Sequence, residues 1–276
     1  EGERAGMTSM AILTDVTRCI GCEECVAACR RTNGTGPDAP YRWQRAANEL
    51  SATRWTTLAT APNNRFVRVH CRHCLDPSCA AACPVGALQR TPEGAVVYDP
   101  VICMGCRYCL VACPFGMTRY EWSSPTPRVR KCLLCHEKIR DGELEQPACT
   151  AACPTGATIF GEREELLEEA RRRIRENPGR YIDHIWGEHE VGGTSVLYIS
   201  DVDLDQAGWP RELGNDARPE LARNVLHTVP YTFVGVAAAM YGVHWTFERR
   251  KKVGESEGGG EAPPNDAADS EAGEES

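Results

Sequence analysis

Residues 103–116 read CMGCRYCLVACPFG, which spaces Cys103, Cys106, Cys109 and Cys113 three, three and four residues apart and follows the last with Pro114. The same device occurs three more times. One group upstream holds Cys71, Cys74, Cys79 and Cys83; another, nearer the N-terminus, holds Cys19, Cys22, Cys25 and Cys29. Downstream stand Cys132, Cys135, Cys149 and Cys153. Every group opens with C-x2-C and closes with C-x3-C, and together they use all 16 cysteines of the 276-residue chain. Three groups end in Cys-Pro (Pro84, Pro114, Pro154) with a glycine two residues on (Gly86, Gly116, Gly156), whereas the first ends Cys29-Arg30. The chain is therefore an internal repeat whose variable part is the gap before the third cysteine.

The run C-x2-C-x2-C-x3-C-P is the ligand pattern of bacterial ferredoxins, in which three cysteines serve one cubane and the fourth serves its neighbour. A tight loop aims three thiolates at one centre. The fourth lies a helical turn further on, and the proline fixes the exit of the chain. Zinc sites close on four donors as two C-x2-C pairs, which the triplets here do not resemble. Disulfides between cysteines in C-x2-C spacing have poor geometry for most pairs. Iron–sulfur ligation is therefore the reading, and four [4Fe–4S] clusters follow from sixteen thiolates. Cross-ligation requires the groups to pair, and groups two and three are neighbours. The expected quartets are Cys71, Cys74, Cys79 with Cys113; Cys103, Cys106, Cys109 with Cys83; Cys19, Cys22, Cys25 with Cys153; and Cys132, Cys135, Cys149 with Cys29.

Composition excludes other classes. A hydrophobic share of 42% and a charged share of 25% are globular values, so wholesale disorder is out. The formal charge is −8, but residues 253–276 hold eight acids and no Lys or Arg, which leaves 31 acids against 31 bases in the rest. The tail reads as a disordered, solvated acidic segment, and no basic stripe invites nucleic acid. Residues 1–18 contain no apolar run of seven, so no secretory leader is read there; a removed leader and a natural start at Met7 both fit. There is no P-loop, no dinucleotide fingerprint and no nucleophile–base pair, so no catalytic residue is expected. His70, His73 and His136 read as outer hydrogen-bonding groups near the cysteines, and Arg72, Arg107, Arg130 and Lys131 as charges able to bias redox potentials.

Residues 30–70 read as an irregular, partner-contacting insertion, with a short strand at 66–69 and another at 95–98. EREELLEEARRRIRE at 162–176 is a helix with acids in its first half and arginines in its second, which suits the macrodipole. VLYIS at 196–200 is a strand. Residues 229–247 carry no Asp, Glu, Lys or Arg, and nineteen helical residues span roughly 28 Å, close to a hydrocarbon core of roughly 30 Å. A transmembrane helix is expected over 228–247. Arg249, Arg250, Lys251 and Lys252 follow it, which would leave the tail cytoplasmic and the clusters on the periplasmic side of the inner membrane.

The runs CIGCEECVAAC, CRHCLDPSCAAACPVGAL, CMGCRYCLVACPFG and KCLLCHEKI…CTAACPTGA resemble, across residues 11–160, the electron-transfer (beta) subunits of membrane-bound respiratory oxidoreductases. IFGEREELLEEA and GGTSVLYIS are similar to the beta subunits of quinone-linked nickel–iron hydrogenase and formate dehydrogenase. The resemblance implies an α+β fold of two ferredoxin-like modules, each holding two clusters. Module one is 11–65 with 128–165, module two 66–127; 166–227 connect them to the transmembrane helix, and 248–276 form a basic stop and the acidic tail. It also implies a relay of electrons between a periplasm-facing catalytic oxidoreductase subunit and a polytopic quinone-reactive or cytochrome b partner, with lipid around the anchor. Flow from quinol to an acceptor is the alternative direction, and a zinc-loaded membrane scaffold is the rival of a different class. Relatives with a three-iron cluster lack the second cysteine of group three; this chain keeps Cys106.

Overall fold

The computed structural model describes residues 9–37, 49–207, 209–226 and 228–257. From the N-terminal side come β1 (Met10–Asp15), α1 (Glu24–Asn33), β2 (Thr56–Ala61), β3 (Arg65–His70), α2 (Ser78–Ala81), β4 (Leu88–Arg90), β5 (Val96–Tyr98) and α3 (Tyr108–Ala112). There follow β6 (Arg119–Tyr120), β7 (Val129–Arg130), α4 (His136–Arg140), α5 (Ala148–Ala151), β8 (Thr158–Glu162), α6 (Arg163–Glu176), β9 (Val196–Ile199), α7 (Arg218–Leu226) and α8 (Val229–Glu257).

β1 reads MAILTD and is buried from Ala11 to Asp15. A strand covered on both faces needs this near-continuous apolar run. It is the middle strand of a three-stranded sheet, antiparallel to β8 (Ile12 opposite Phe160) and parallel to β9 (Ile12 opposite Val196). Because side chains alternate along a strand, Ala11, Leu13, Leu197 and Ile199 face one way and meet Leu166, Leu167 and Ala170 of α6. Ile12 faces the other way, onto Ala95 and Leu134 in the cysteine-rich region. Val196 and Tyr198 of β9 also turn that way, into a core with Val67, Val69, Phe115 and Trp209. The sheet is thus roofed by α6 and floored by the loops that carry cysteines. α6 starts within a residue of the helix expected at 162–176, and the strands at 66–69, 95–98 and 196–200 correspond to β3, β5 and β9.

The cysteine groups carry short elements of their own. α1 packs on α5 and α2 on α3, while β4–β5 and β6–β7 are small antiparallel hairpins. This pairs group one with group four, and group two with group three. The arrangement is the paired, mixed α/β one expected of ferredoxin-like modules.

Two expectations are corrected. Residues 56–70 are not an irregular excursion but the β2–β3 hairpin, turned at Asn63 and Asn64 in the left-handed conformation that asparagine tolerates. Its TTLATA strand is too polar to announce itself, yet Thr56, Thr57, Val67 and Val69 are buried. Residues 38–48 of the same stretch lie outside the described residues.

The second correction concerns the membrane. A helix does form over 229–247, but it runs on without a break to Glu257 as α8, through Arg249–Lys252. Among the described residues no helix is long and apolar enough to cross a membrane. Ala, Gly, Thr, His, Tyr and Trp dilute the valines and phenylalanines of this segment, so the lack of charge does not amount to enough hydrophobicity. The transmembrane assignment at 228–247 therefore falls, and the placement of clusters and tail on opposite faces of a membrane, which depended on it, is not carried further. The acidic stretch 258–276 lies outside the described residues. The chain divides into a compact unit, Glu1–Ala222, which contains every cysteine, and a second unit, Arg223–Ser276.

Candidate iron–sulfur centres

Each C-x2-C is turned by one backbone device. The residue before the second cysteine is left-handed in all four groups: Gly21 (φ 73°), His73 (φ 50°), Gly105 (φ 75°) and Leu134 (φ 59°). Such a residue among right-handed neighbours points successive N–H groups into one concavity, which suits an anion. The third cysteine then sits in a short helix: Cys25 in α1, Cys79 in α2, Cys109 in α3 and Cys149 in α5. Proline after the fourth cysteine prevents the helix from continuing, so α2, α3 and α5 have only four or five residues. Group one lacks that proline, and α1 extends to ten residues before Gly34 ends it in the left-handed conformation.

These turns bring the cysteines of distant groups together. Cys19, Cys22, Cys25 and Cys153 line one cavity with Ile20, Leu58 and Arg68. Cys29, Cys132, Cys135 and Cys149 line a second, with Arg68, His70 and Leu134. Cys71, Cys79 and Cys113 lie within electrostatic reach of Cys74, and Cys103, Cys106 and Cys83 within reach of Cys109. The four gatherings adjoin in series: Cys109 lies within electrostatic reach of Cys79, Cys71 of Cys132, and Cys149 of Cys25. All sixteen thiols are free. Among the described residues no three His, Cys, Asp or Glu side chains converge closely enough to share a single metal ion. A zinc site would need its sulfurs about 2.3 Å from one centre, whereas a cubane bonds each thiolate to a different iron.

The surroundings suit thiolates bound to metal. Burial pushes Cys25 up to about 11 and Cys29 up to about 12, and Cys79 and Cys109 likewise up to about 12 and about 11. Such thiols become anions only beside a strong positive charge. At Cys83 and Cys153 burial also pushes upward, but donors from the turn after the proline outweigh it and the thiol is lowered. Ala87 N–H donates to the Cys83 sulfur at 3.2 Å, Met117 N–H to Cys113 at 3.4 Å and Leu134 N–H to Cys132 at 3.4 Å.

Buried donors with idle hydrogens complete the fit. Among the described residues neither ring nitrogen of His70 has a hydrogen-bond partner, nor do Nε2 of His73 and Nε and Nη1 of Arg68, and idle buried donors are costly unless an acceptor is supplied. His73 Nδ1 accepts from Val96 N–H at 2.8 Å, and His136 lies 4.0 Å from Glu93. Of the four cations singled out from sequence, Lys131 reaches a sulfur, with Nζ 3.8 Å from Cys71 and 2.9 Å from the Cys132 carbonyl. Arg72 is instead held between the rings of Tyr198 and Trp209, with its guanidinium 4.7 and 4.6 Å from their centroids. Arg107 lies over Tyr120 and Trp122, and Arg130 pairs with Glu121 at 2.6 Å. Sequence reasoning missed Arg68 and Asn33. For Arg68 a signal existed. In RFVRVH, Val67 and Val69 enter the core, so Phe66, Arg68 and His70 share the opposite face, next to the cysteines.

Fold and donor set together define a ferredoxin-like iron–sulfur protein with repeated cysteine groups. The profile of the 4Fe-4S dicluster domain matches residues 63–163. The hydrogenase-2 operon protein HybA of Escherichia coli O157:H7 is 32% identical over 91% of this chain and 88% of its own length. The iron–sulfur subunit of the nitrate-inducible formate dehydrogenase of Escherichia coli K12 is 35% identical, covering 69% of this chain and 67% of that subunit. A sulfite dehydrogenase subunit from Allochromatium vinosum is 32% identical over 66% of the chain and 80% of its own length. The chain belongs to this family of iron–sulfur electron-transfer subunits of oxidoreductases.

Proposed function

We propose that the chain relays electrons through four [4Fe–4S] clusters, held by Cys103, Cys106, Cys109 and Cys83; by Cys71, Cys74, Cys79 and Cys113; by Cys132, Cys135, Cys149 and Cys29; and by Cys19, Cys22, Cys25 and Cys153. The observation that carries the reading is the series of four adjoining cysteine gatherings, the first and last of which each hold an exposed cysteine. Cys106 and Cys22 are the exposed cysteines, and they belong to the two end quartets. Bound clusters supply one-electron redox chemistry, and the chain's part is to hold, space and tune them. Apolar side chains stand exposed beside both open ends: Val101, Met104, Tyr108 and Val111 at one, Ile20 at the other. Partners docking there would exclude water at the points of electron entry and exit.

The catalytic partner in this reading is an oxidoreductase of the hydrogenase or formate dehydrogenase kind, by likeness to HybA and the formate dehydrogenase subunit. The second partner is a membrane-embedded quinone-reactive or cytochrome b protein, and the cytoplasmic membrane is the location. What supports a membrane setting is α8, whose Phe233, Val234, Met240, Trp245 and Phe247 are exposed and followed by Arg249–Lys252. Such a surface suits lipid or a membrane-embedded partner.

Anaerobic purification with iron and acid-labile sulfide analysis tests the cofactor: about sixteen irons per chain with equal sulfide is expected, and stoichiometric zinc without sulfide would overturn it. Co-purification tests the partners. A membrane fraction carrying the chain with a catalytic subunit is expected, and a chain recovered wholly free of both would refute that part.

A further inference from the structure

Among the described residues, Arg68 is common to the linings of two cavities, that of Cys19, Cys22, Cys25 and Cys153 and that of Cys29, Cys132, Cys135 and Cys149. It lies in β3, 2% exposed. Its Nη2 donates to Thr158 Oγ1 at 3.1 Å, which pins the guanidinium to β8, while Nε and Nη1 have no hydrogen-bond partner among the described residues. Burial works against its charge, but Cys149, Tyr198, Cys25 and Cys132 around it raise its basicity overall. A cation this deep is costly unless a counter-charge lies beside it. The neighbours able to carry that charge are thiolates on both sides.

We propose that Arg68 is a shared counter-ion, donating to sulfur in both quartets and raising the reduction potentials of those two clusters together. The inference rests on the reading that the quartets hold clusters. The chemistry suits arginine: a planar guanidinium with five donors and a permanent charge can serve two acceptors on opposite edges. Each cluster gains one negative charge on reduction, so a fixed cation between two of them favours the reduced state of both. Arg68 is thus a positioning and tuning residue; it takes no electron itself.

The test is a spectroscopic redox titration of the full chain and of Arg68→Met, both purified anaerobically and assayed for iron. Two of the four potentials should fall in the variant. At a fixed solution potential the reduced-to-oxidised ratio of those centres should drop about tenfold, which is ~59 mV for a one-electron couple. The other two should stay in place, and Arg68→Lys, which keeps the charge, should recover at least half of both shifts. A shift of one centre alone, of all four equally, or of none overturns the proposal. If Arg68→Met fails to hold iron, the wild-type protein labelled with 15N-arginine decides. Arginine nitrogen couplings on both of these reduced centres support the bridge, and coupling to one or neither refutes it. A wild-type chain without iron and sulfide would instead refute the cluster reading itself, so the two failures are distinguishable.

Discussion

The side-chain amide of Asn33 reaches back one helical turn to Cys29, donating to its carbonyl at 2.8 Å and standing 3.6 Å from its sulfur. At Cys83 and Cys113 the corresponding donor is the backbone N–H four residues on, presented by the turn that the proline forces. Group one has no proline, so α1 continues and its backbone N–H groups are spent on the helix. The side chain at the same i+4 position supplies the donor instead. Asn33→Leu should therefore lower the potential of the cluster of Cys132, Cys135, Cys149 and Cys29. A neutral hydrogen bond contributes about 1 kcal/mol, and a tenfold change is 59 mV for one electron, so the shift should be on the order of 20–40 mV with iron content unchanged. Potentiometric EPR measures it, and no shift would remove Asn33 from the groups that tune this cluster.

The proposed cross-ligation makes a sharp prediction about which cysteines act together. Cys83 belongs by sequence to group two but lies near Cys109 of group three, while Cys113 of group three lies near Cys74 of group two. Cys83→Ala should erase the EPR signal that Cys106→Ala erases. Cys113→Ala should erase the one lost in Cys74→Ala. If Cys83→Ala and Cys79→Ala instead silence one and the same signal, the quartets are misassigned.

Trp209 is buried and meets Phe115 and Tyr198 edge-on, at centroid distances of 5.2 and 5.6 Å, with the Arg72 guanidinium over its own ring. Phe115 follows Cys113-Pro114, so this aromatic cluster backs the turn that aims Cys113. Trp209→Ala should destabilise the chain by about 3–5 kcal/mol, read by anaerobic urea denaturation. The cluster of Cys71, Cys74, Cys79 and Cys113 should be the first to lose iron; uniform loss from all four would count against this coupling.

The gathering of the cysteines is legible in sequence because their repeated spacing suits the geometry of a cubane. The sheet is only partly legible. β9 and α6 announce themselves by apolar run and amphipathic stripe, whereas β2, with its sequence TTLATA, carries no such pattern and reads as irregular. Arg68 escapes notice because a charged residue in a short strand ordinarily faces water. Its burial depends on long-range folding that brings groups one and four against β3. The reading of a membrane-crossing helix fails for a related reason: absence of charge over 229–247 is easily counted, but crossing depends on the summed hydrophobicity, which small and polar residues dilute.

The left-handed position before each second cysteine yields the last prediction. His73 and Leu134 hold it with full side chains, so the conformation alone does not forbid a Cβ there. At Gly21 a Cβ would lie 2.8 Å from the ring of Phe66, whereas at Gly105 the nearest atom is Tyr120 Oη at 3.1 Å. Left-handed backbone costs about 1–2 kcal/mol for a residue with a side chain, and Gly21→Ala adds a clash with a ring on the same β3 face as Arg68. Gly21→Ala should therefore cost more stability than Gly105→Ala. It should also preferentially deplete the cluster of Cys19, Cys22, Cys25 and Cys153. Phe66→Leu in the Gly21→Ala background should return part of that loss while costing stability in the wild type. A double-mutant cycle of denaturation midpoints, with iron counted per chain, separates the two terms. Strict additivity would show that the ring and the turn do not meet.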